Sequence, residues 1–226
     1  MTHLYLIRHG HYIDEVDSKM VDHGLSEKGV QQVERLRDRL AKTGEIKADV
    51  LIASTLPRAR HTAEILAPAL GLPIIFDKEL EEWYNEDGSL SEEEFMSRWK
   101  AVPFEQKPFY RWVPGCENWL EFMLRVRSAF NRILTEHEGK TIVVICHGGI
   151  VEIAFLHLME LSWANLRLGS VAVDHTSITH WEKVVMPDST SRWFLQRSND
   201  SLHLNEQYAL VDIPTQAGDV AVVLPS

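Results

Sequence analysis

The sequence predicts an α/β protein: a three-layer, doubly wound and mainly parallel sheet with helices on both faces. Short apolar segments alternate with segments of helical periodicity along the chain. Alternation of this kind is typical of parallel strands joined by right-handed crossovers. The last apolar segments alternate with polar residues, which predicts antiparallel strands at an edge of the sheet.

The first part of the chain supplies strands and helices in turn. Residues 3–7 predict a buried first strand, and Ser26 is a suitable N-cap for the helix after it. Pro57 suits the first position of a second helix that reaches about Leu70. Strands are expected at residues 49–53 and 74–76. The inward face of the first helix is predicted at Val30, Val33, Leu36 and Leu40.

The second part of the chain continues the pattern. A long helix is expected over residues 117–136, followed by the most hydrophobic strand at 141–146. That strand leads through His147, Gly148 and Gly149 into another helix. The predicted antiparallel strands are residues 171–173, 178–185 and 192–196.

Residues from about 79 to 116 interrupt this alternation. They are rich in acidic and aromatic residues, and Ser91 with Glu94 forms a capping box for a short helix. We interpret them as a helical and irregular insertion over the carboxyl ends of the strands, within a single domain of residues 1–226. Residues from about 205 to 226 are a C-terminal extension. The aromatic residues of the insertion form either a specificity element or a small satellite core: Trp83, Tyr84, Phe95, Trp99, Phe109, Tyr110 and Trp112.

Composition limits the class of protein. The chain has 226 residues, 45% of them hydrophobic, which suffices for one well-filled domain. It contains no apolar run of the ~20 residues that cross a membrane, and we expect no secretory signal. Cys116 and Cys146 do not make a disulfide framework, so we expect a cytoplasmic protein.

The formal net charge of −10 argues against nucleic acid or an anionic membrane as a partner. A small anionic substrate is still allowed, because two arginines can dominate the field within a local pocket. No metal and no cofactor are expected, since the cysteines lack metal-site spacing. The apolar end of the chain packs on the domain or on a second copy, which leaves a homodimer open.

Basic side chains follow three of the predicted parallel strands. Arg8 and His9 follow the first strand, Arg58 follows the second, and His147 follows the strand at 141–146. Ligands of such sheets bind outside the carboxyl ends of the strands, so these four side chains are expected at one edge. Taken singly, each arginine is more often a surface cation and each histidine more often a hydrogen-bonded residue at the end of a strand. Together they indicate a site for a multiply charged oxyanion.

These residue types suit phosphoryl transfer. A neutral His9 can attack phosphorus and form a phosphohistidine, while Arg8 and Arg58 bind phosphate oxygens through their forked donors. A protonated His147 would add a third cation. The leaving alkoxide needs a proton from a carboxylic acid, which typically contributes ~10²–10⁴-fold to the rate.

The chain resembles the histidine phosphatase superfamily, in its phosphoglycerate-mutase-like branch. The resemblance rests on Arg8-His9-Gly10, residues 54–59 with Thr62-Ala63, Leu80-x-Glu82 and His147-Gly148-Gly149. Weaker matches are found at residues 25–29 with Gln32, at 116–118 with Arg125, at 176–179, and at 199–204. The resemblance implies that His9 is the nucleophile, that Arg8, Arg58 and His147 form the phosphate pocket, and that Glu82 is the proton donor, with Glu81 as the alternative.

Several positions depart from the family pattern and affect the expected substrate. His11 and Glu15 stand where members often carry Glu or Gln and Asn, and the loop before Leu25 is shorter than in typical mutases. A mutase must hold and reorient its substrate, so these changes favour hydrolysis. His11 either contacts substrate or is a solvent-facing loop residue.

The sequence therefore predicts a metal-independent phosphatase that hydrolyses a small phosphomonoester through a phosphohistidine at His9. A phosphoglycerate mutase is the alternative enzyme. A metallohydrolase is suggested by His9-x-His11, but Arg8 would repel the metal ion. A catalytically silent module that binds phosphorylated ligands is the remaining alternative.

Overall fold

The computed structural model describes residues 1–12, 15–16, 19–20, 22–84, 89–162, 164 and 169–205. The elements follow one another in this order: β1 (Thr2–Arg8), β2 (Glu15–Val16), β3 (Lys19–Met20), α1 (Glu27–Thr43), β4 (Val50–Ser54), α2 (Pro57–Leu70), β5 (Ile74–Asp77), α3 (Glu92–Ala101), α4 (Trp119–Glu136), β6 (Thr141–Cys146), α5 (Gly148–Leu158), β7 (Ile178–Val185) and β8 (Ser191–Asp200).

Within these residues, six strands form one sheet in the order β5-β4-β6-β1-β7-β8. The pairs β5–β4, β4–β6 and β6–β1 are parallel, whereas β7 runs antiparallel to β1 and β8 antiparallel to β7. Strands β2 and β3 pair with each other in a separate small ribbon. The predicted fold class, mainly parallel with antiparallel strands at one edge, is confirmed.

Helices cover both faces of the sheet and enclose two cores. Apolar side chains of α4 and α5 pack with Leu4, Leu6 and Ile52 on one face. Side chains of α1 and α2 pack with Tyr5, Ile7 and Leu51 on the other. The alternation of residues 4–7 between the two cores shows why β1 is an uninterrupted apolar run: both of its faces are buried.

Local signals place the helix starts. The Ser26 hydroxyl accepts a hydrogen bond from the Gly29 amide at 3.1 Å, and Pro57 is the first residue of α2. Of the predicted inward face of α1, Val33, Leu36 and Leu40 are buried and Val30 is half-buried, whereas Gly29 is also buried. A Cβ on Gly29 would lie only 1.9 Å from the His11 carbonyl oxygen. This turn of α1 therefore packs directly against the backbone of His11, where only glycine fits.

One predicted strand is absent. Residues 171–173 form no strand, and the Val173 carbonyl instead accepts a hydrogen bond from Arg8 Nη1 at 2.5 Å. The apolar alternation of this segment therefore does not reflect a sheet. The ladder continues at β7 and β8, and β8 extends beyond its predicted range to Asp200.

The described part of the insertion is helical, with 3-10 turns at Lys78–Leu80 and Phe104–Phe109 on either side of α3. The predicted capping box of Ser91 and Glu94 is present. Trp112 is 1% exposed, and the rings of Phe95, Trp99 and Tyr110 lie within 5.5 Å of its ring. These four aromatic residues form a satellite core.

Among the described helices, none is both long and apolar enough to cross a membrane. Cys116 and Cys146 are buried and form no disulfide within the described part of the chain. The predicted C-terminal extension lies outside the described residues from residue 206 onward.

Candidate active site

The parallel strands bring the predicted basic residues to one edge. Arg8 ends β1, His147 directly follows β6, and Arg58 lies in the first turn of α2, which follows β4. The amide of His9 donates to the Cys146 carbonyl at 3.0 Å and so extends the pairing of β1 with β6. His9, Arg58 and His147 are 2%, 9% and 0% exposed.

His9 is held with one ring nitrogen directed at the site. Its Nδ1 lies 2.8 Å from the Gly10 carbonyl oxygen, which can only accept, so Nδ1 carries the proton. Its Nε2 then has a lone pair, to which Arg58 Nε donates at 3.2 Å. Burial, followed by the charge of Arg58, holds the pKa of His9 well below its ordinary value. The imidazole is therefore neutral, as a nucleophile requires.

Besides its hydrogen bond to His9, the Arg58 guanidinium contacts Asp22 and Tyr12. Its Nη1 donates to Asp22 Oδ2 at 2.6 Å, and its guanidinium carbon lies 4.5 Å from the centre of the Tyr12 ring. The backbone amide of Arg58 also donates to Asp22 Oδ2, at 3.4 Å. A phosphate that binds Arg58 must compete with this carboxylate.

Arg8 and His147 each have a buried nitrogen without a partner among the described residues. Arg8 Nη1 donates to the Val173 carbonyl, whereas Arg8 Nε is buried without a partner among the described residues. The His147 ring lies 5.0 Å from the His9 ring, and its Nδ1 is likewise buried and unpartnered within the described chain. Buried polar groups are normally paired, so these two nitrogens mark a place for an acceptor.

Ser54 orients His147. The hydroxyl oxygen of Ser54 lies 2.8 Å from His147 Nε2 and accepts from the Leu56 amide at 3.3 Å. Donation of the hydroxyl proton to Nε2 leaves the ring proton on Nδ1, where the acceptor is missing. Burial, followed by the charges of His9 and Arg58, holds the pKa of His147 well below its ordinary value. The protonated His147 of the sequence-based expectation is thus replaced by a neutral ring in this structure.

The carboxylate of Glu82 lies at the start of α5. Its Oε2 accepts from the Gly149 amide at 3.0 Å, and its Oε1 accepts from the Trp83 amide at 3.0 Å. Gly149 leaves room for it, because a Cβ there would lie 2.3 Å from Glu82 Oε1. Glu81, the alternative donor, instead accepts a hydrogen bond from the Thr55 hydroxyl.

Arg125 fixes the backbone that carries Glu82. It forms two hydrogen bonds of 2.7 Å with the carboxylate of Glu117. It also donates to the carbonyls of Glu79, Glu81 and Glu82 at 2.8, 2.9 and 3.3 Å. The loop is therefore tied to α4, on which Arg125 lies.

His11 is tied to the start of α1. Its amide donates to Gln32 Oε1 at 2.8 Å, and its Nδ1 lies 2.8 Å from the Ser26 hydroxyl. His11 is half-buried at the rim of the site, and its ring lies 5.5 Å from the ring of His175. A contact between His11 and substrate stays a prediction.

Sequence reasoning missed three neighbours of the site: Asp22, Tyr12 and His175. All three lie outside the main helices and strands, where no periodicity marks them. For His175, the neighbouring Thr176-Ser177 match was the available signal. Among the described residues, no cluster of three His, Cys, Asp or Glu is arranged to hold a metal ion.

A family model assigns the chain to a superfamily. The model of the histidine phosphatase superfamily (branch 1) matches residues 4–200. The chain belongs to this superfamily. The matched range includes both histidines, both arginines and Glu82.

Relatives of this member of the superfamily include phosphatases and a mutase. It is 28% identical to a probable phosphoglycerate mutase of Erwinia tasmaniensis over 91% of this chain and 96% of that protein. It is also 28% identical to a mitochondrial serine/threonine-protein phosphatase of Drosophila erecta, over 78% of this chain but only 57% of that protein's length.

Solved structures show the same fold. A mycobacterial glucosyl-3-phosphoglycerate phosphatase in complex with VO3 has a TM-score of 0.68 and 25% identity, over 87% of this chain and 98% of that chain. A phosphoserine phosphatase of Entamoeba histolytica has a TM-score of 0.62 at 20% identity, over 91% of this chain and all of that chain. The second likeness concerns the fold alone.

Proposed function

We propose that this histidine phosphatase hydrolyses a small phosphomonoester through a phosphohistidine at His9, without a metal ion. One observation carries the proposal: the neutral imidazole of His9, whose Nε2 lone pair accepts from Arg58 Nε, lies beside the His147 ring, and Arg8 Nε and His147 Nδ1 are buried without acceptors among the described residues. A phosphate group supplies oxygens to both nitrogens and an electrophilic phosphorus to the imidazole.

The first step transfers the phosphoryl group to His9. The substrate phosphate takes over the guanidinium of Arg58, which frees His9 Nε2 from its hydrogen bond with Arg58 Nε. The nitrogen–phosphorus bond then forms as the phosphorus–oxygen ester bond breaks. Protonated Glu82 gives its proton to the leaving oxygen, and the permanent charges of Arg8 and Arg58 stabilise the phosphoryl oxygens.

The second step restores the enzyme. Glu82, now a carboxylate, accepts a proton from water as the water oxygen attacks phosphorus. The phosphorus–nitrogen bond breaks, its electron pair returns to His9 Nε2, and phosphate leaves. Glu82 is better placed than Glu81 for both proton transfers, because its carboxylate lies at Gly149, two residues after His147, whereas the Glu81 carboxylate is bound to Thr55.

Three of the similar proteins named above are phosphatases by name, and the two that are at least 25% identical to this chain support hydrolysis. A phosphoglycerate mutase is the second candidate, because the Erwinia tasmaniensis relative carries that name and matches nearly the whole chain. Both activities begin with the same transfer to His9 and differ in whether water or a second hydroxyl accepts the phosphoryl group. A cytoplasmic location, a homodimer, and the absence of nucleic-acid and membrane partners stay predictions.

Phosphate release from a panel of phosphomonoesters in EDTA tests the proposal. We expect release by the wild type and none by His9→Ala at an unchanged melting temperature. Substantial activity of His9→Ala, or activity that EDTA abolishes, would contradict it. If the wild type isomerises 3-phosphoglycerate and releases no phosphate from any ester, the mutase is the correct assignment.

A further inference from the structure

His175 borders the site but takes no part in the steps above. Two residues before it, the Val173 carbonyl accepts from Arg8 Nη1 at 2.5 Å. One residue after it, the Thr176 amide donates to the carbonyls of Arg8 and His9 at 3.0 and 3.3 Å. These bonds fix the segment on both sides of His175. They place its ring 5.5 Å from the ring of His9, edge to face.

The segment adopts an uncommon conformation at this point. Thr176 has a φ of +62°, in the left-handed region that non-glycine residues seldom occupy. Its hydroxyl donates to the His175 carbonyl at 2.6 Å and accepts from His203 Nε2 at 2.8 Å, while the Thr176 amide is bound to the end of β1. Backbone outliers held in this way cluster at functional sites.

His175 shares one property with two phosphate-binding residues. Its Nε2 is buried and has no hydrogen-bond partner among the described residues, as is true of Arg8 Nε and His147 Nδ1. The His147 and His175 rings lie 5.0 and 5.5 Å from the His9 ring. The unpaired nitrogens of two histidines beside the nucleophile, together with that of the adjacent Arg8, indicate one common acceptor rather than three separate defects.

We propose that His175 is a further catalytic residue that donates its Nε2–H to a nonbridging oxygen of the bound phosphoryl group. The inference rests on the proposed function, because it takes the phosphate at His9 as the acceptor. It adds a fourth side chain to the pocket of Arg8, Arg58 and His147.

The environment of His175 suits a neutral donor. Burial, followed by the charges of Arg8 and His11, lowers the pKa of His175 to about 4. The ring is therefore neutral near pH 7 and has a single N–H. With that proton on Nε2, His175 contributes a directed hydrogen bond to the phosphate without adding a cation beside Arg8.

Two substitutions at this position separate the hydrogen bond from the bulk of the ring. His175→Phe keeps an aromatic ring and removes the donor, whereas His175→Gln keeps an N–H near the position of Nε2. We expect the inhibition constants of inorganic phosphate and orthovanadate to rise roughly 10- to 100-fold in His175→Phe, because a hydrogen bond to a charged group is lost. His175→Gln should recover most of this loss, and both variants should keep the melting temperature of the wild type.

His180→Gln is the matched control. His180 is also a partly buried histidine whose pKa is lowered to about 4, but its ring stacks on Tyr5 at 4.0 Å in the sheet. We expect its inhibition constants to equal those of the wild type. If His175→Phe does not fold, His175→Ala replaces it as the variant without a donor.

Three outcomes would overturn the inference. The first is unchanged phosphate and orthovanadate inhibition in folded variants that lack the donor. The second is a loss confined to KM for esters, which would place His175 against the leaving group rather than the phosphoryl group. The third is a wild type that neither hydrolyses esters nor binds phosphate, and this outcome alone also removes the proposed function.

Discussion

The reactivity of His9 depends on how its two nitrogens are used. His9 Nδ1 donates a hydrogen bond to the Gly10 carbonyl at 2.8 Å, and the Nε2 lone pair accepts one from Arg58 Nε at 3.2 Å. The His9 imidazole is therefore neutral, and its Nε2 lone pair accepts a hydrogen bond from a cation. In the proposed mechanism, a phosphate anion attracts Arg58 and exposes Nε2, which would couple substrate binding to activation.

Asp22 opposes this coupling, because its carboxylate lies 2.6 Å from Arg58 Nη1. We expect Asp22→Asn to lower KM and the inhibition constant of phosphate about fivefold, a change of ~1 kcal/mol, because a competing negative charge is removed. Steady-state kinetics measures both constants. Asp38→Asn is the control, since Asp38 pairs with Arg37 on the surface of α1. A rise in KM of Asp22→Asn would instead show that Asp22 holds Arg58 in its productive position.

At the scale of elements, the proton donor depends on the start of α5. Gly149→Ala places a Cβ 2.3 Å from Glu82 Oε1 and 3.1 Å from ring carbons of Phe122, so the carboxylate must move. We expect kcat for alkyl phosphates to fall at least about tenfold, and kcat for activated aryl phosphates to fall much less, because an aryl oxide leaves without a proton.

Gly148→Ala is the matched control for this substitution. It lies in the same turn of α5, and the nearest atom to its Cβ is Arg8 Nε, 3.8 Å away, rather than Glu82. Because this atom belongs to the phosphate pocket, any loss in Gly148→Ala should be similar for alkyl and aryl phosphates. Equal losses of Gly149→Ala on both classes of ester would argue against Glu82 as the proton donor.

Helix α4 contributes through Arg125, which joins Glu117 to three carbonyls of the loop that carries Glu82. Arg125→Ala leaves these acceptors unpaired, and we expect the free energy of unfolding to fall by about 2–3 kcal/mol. Urea unfolding measures this change. Arg37→Ala, which removes surface ion pairs with Glu34 and Asp38, should change it by less than about 0.5 kcal/mol. Similar losses in the two variants would show that Arg125 does not hold the loop.

At the scale of the whole molecule, burial of histidines makes stability depend on pH. Six histidines have a lowered pKa, and burial is the largest cause in each: His9, His147, His157, His175, His180 and His203. Below pH 6.5 the unfolded chain binds protons at these residues that the folded chain does not bind. The folded state therefore loses stability as the pH falls from about 6.5 towards 4.

We expect the free energy of unfolding to be lower at pH 5 than at pH 7, because His9 and His147 stay neutral in the folded chain and become protonated in the unfolded chain. Urea unfolding at the two pH values measures it. His9→Gln removes one of the groups and should reduce the difference. Stability that is equal at the two pH values, or higher at pH 5, would contradict the assignment of neutral buried histidines.

Much of the molecule could be predicted because local features encode it. The apolar run of β1 is buried on both faces, and Ser26 and Pro57 begin helices in ways that do not depend on distant residues. Since parallel strands align their carboxyl ends, the convergence of Arg8, His9, Arg58 and His147 followed from their positions along the chain.

The rest could not be predicted because it depends on contacts between distant segments. Residues 171–173 have the alternating pattern of a strand, yet the Val173 carbonyl accepts a hydrogen bond from the Arg8 side chain instead of from a neighbouring strand. Asp22 and His175 are more than 100 residues apart in sequence, and both border the site from irregular segments. No periodicity marks such residues.

Detection of the phosphoryl group on His9 tests the central claim most directly. The enzyme is mixed with a good substrate, quenched in denaturant at alkaline pH, where phosphohistidine survives, and fragmented for mass spectrometry. We predict one added phosphoryl group located on His9 in the wild type, more of it in Glu82→Gln on an activated ester, and none in His9→Ala. Turnover without any phosphoryl group on His9, or with the group on another residue, would contradict the account.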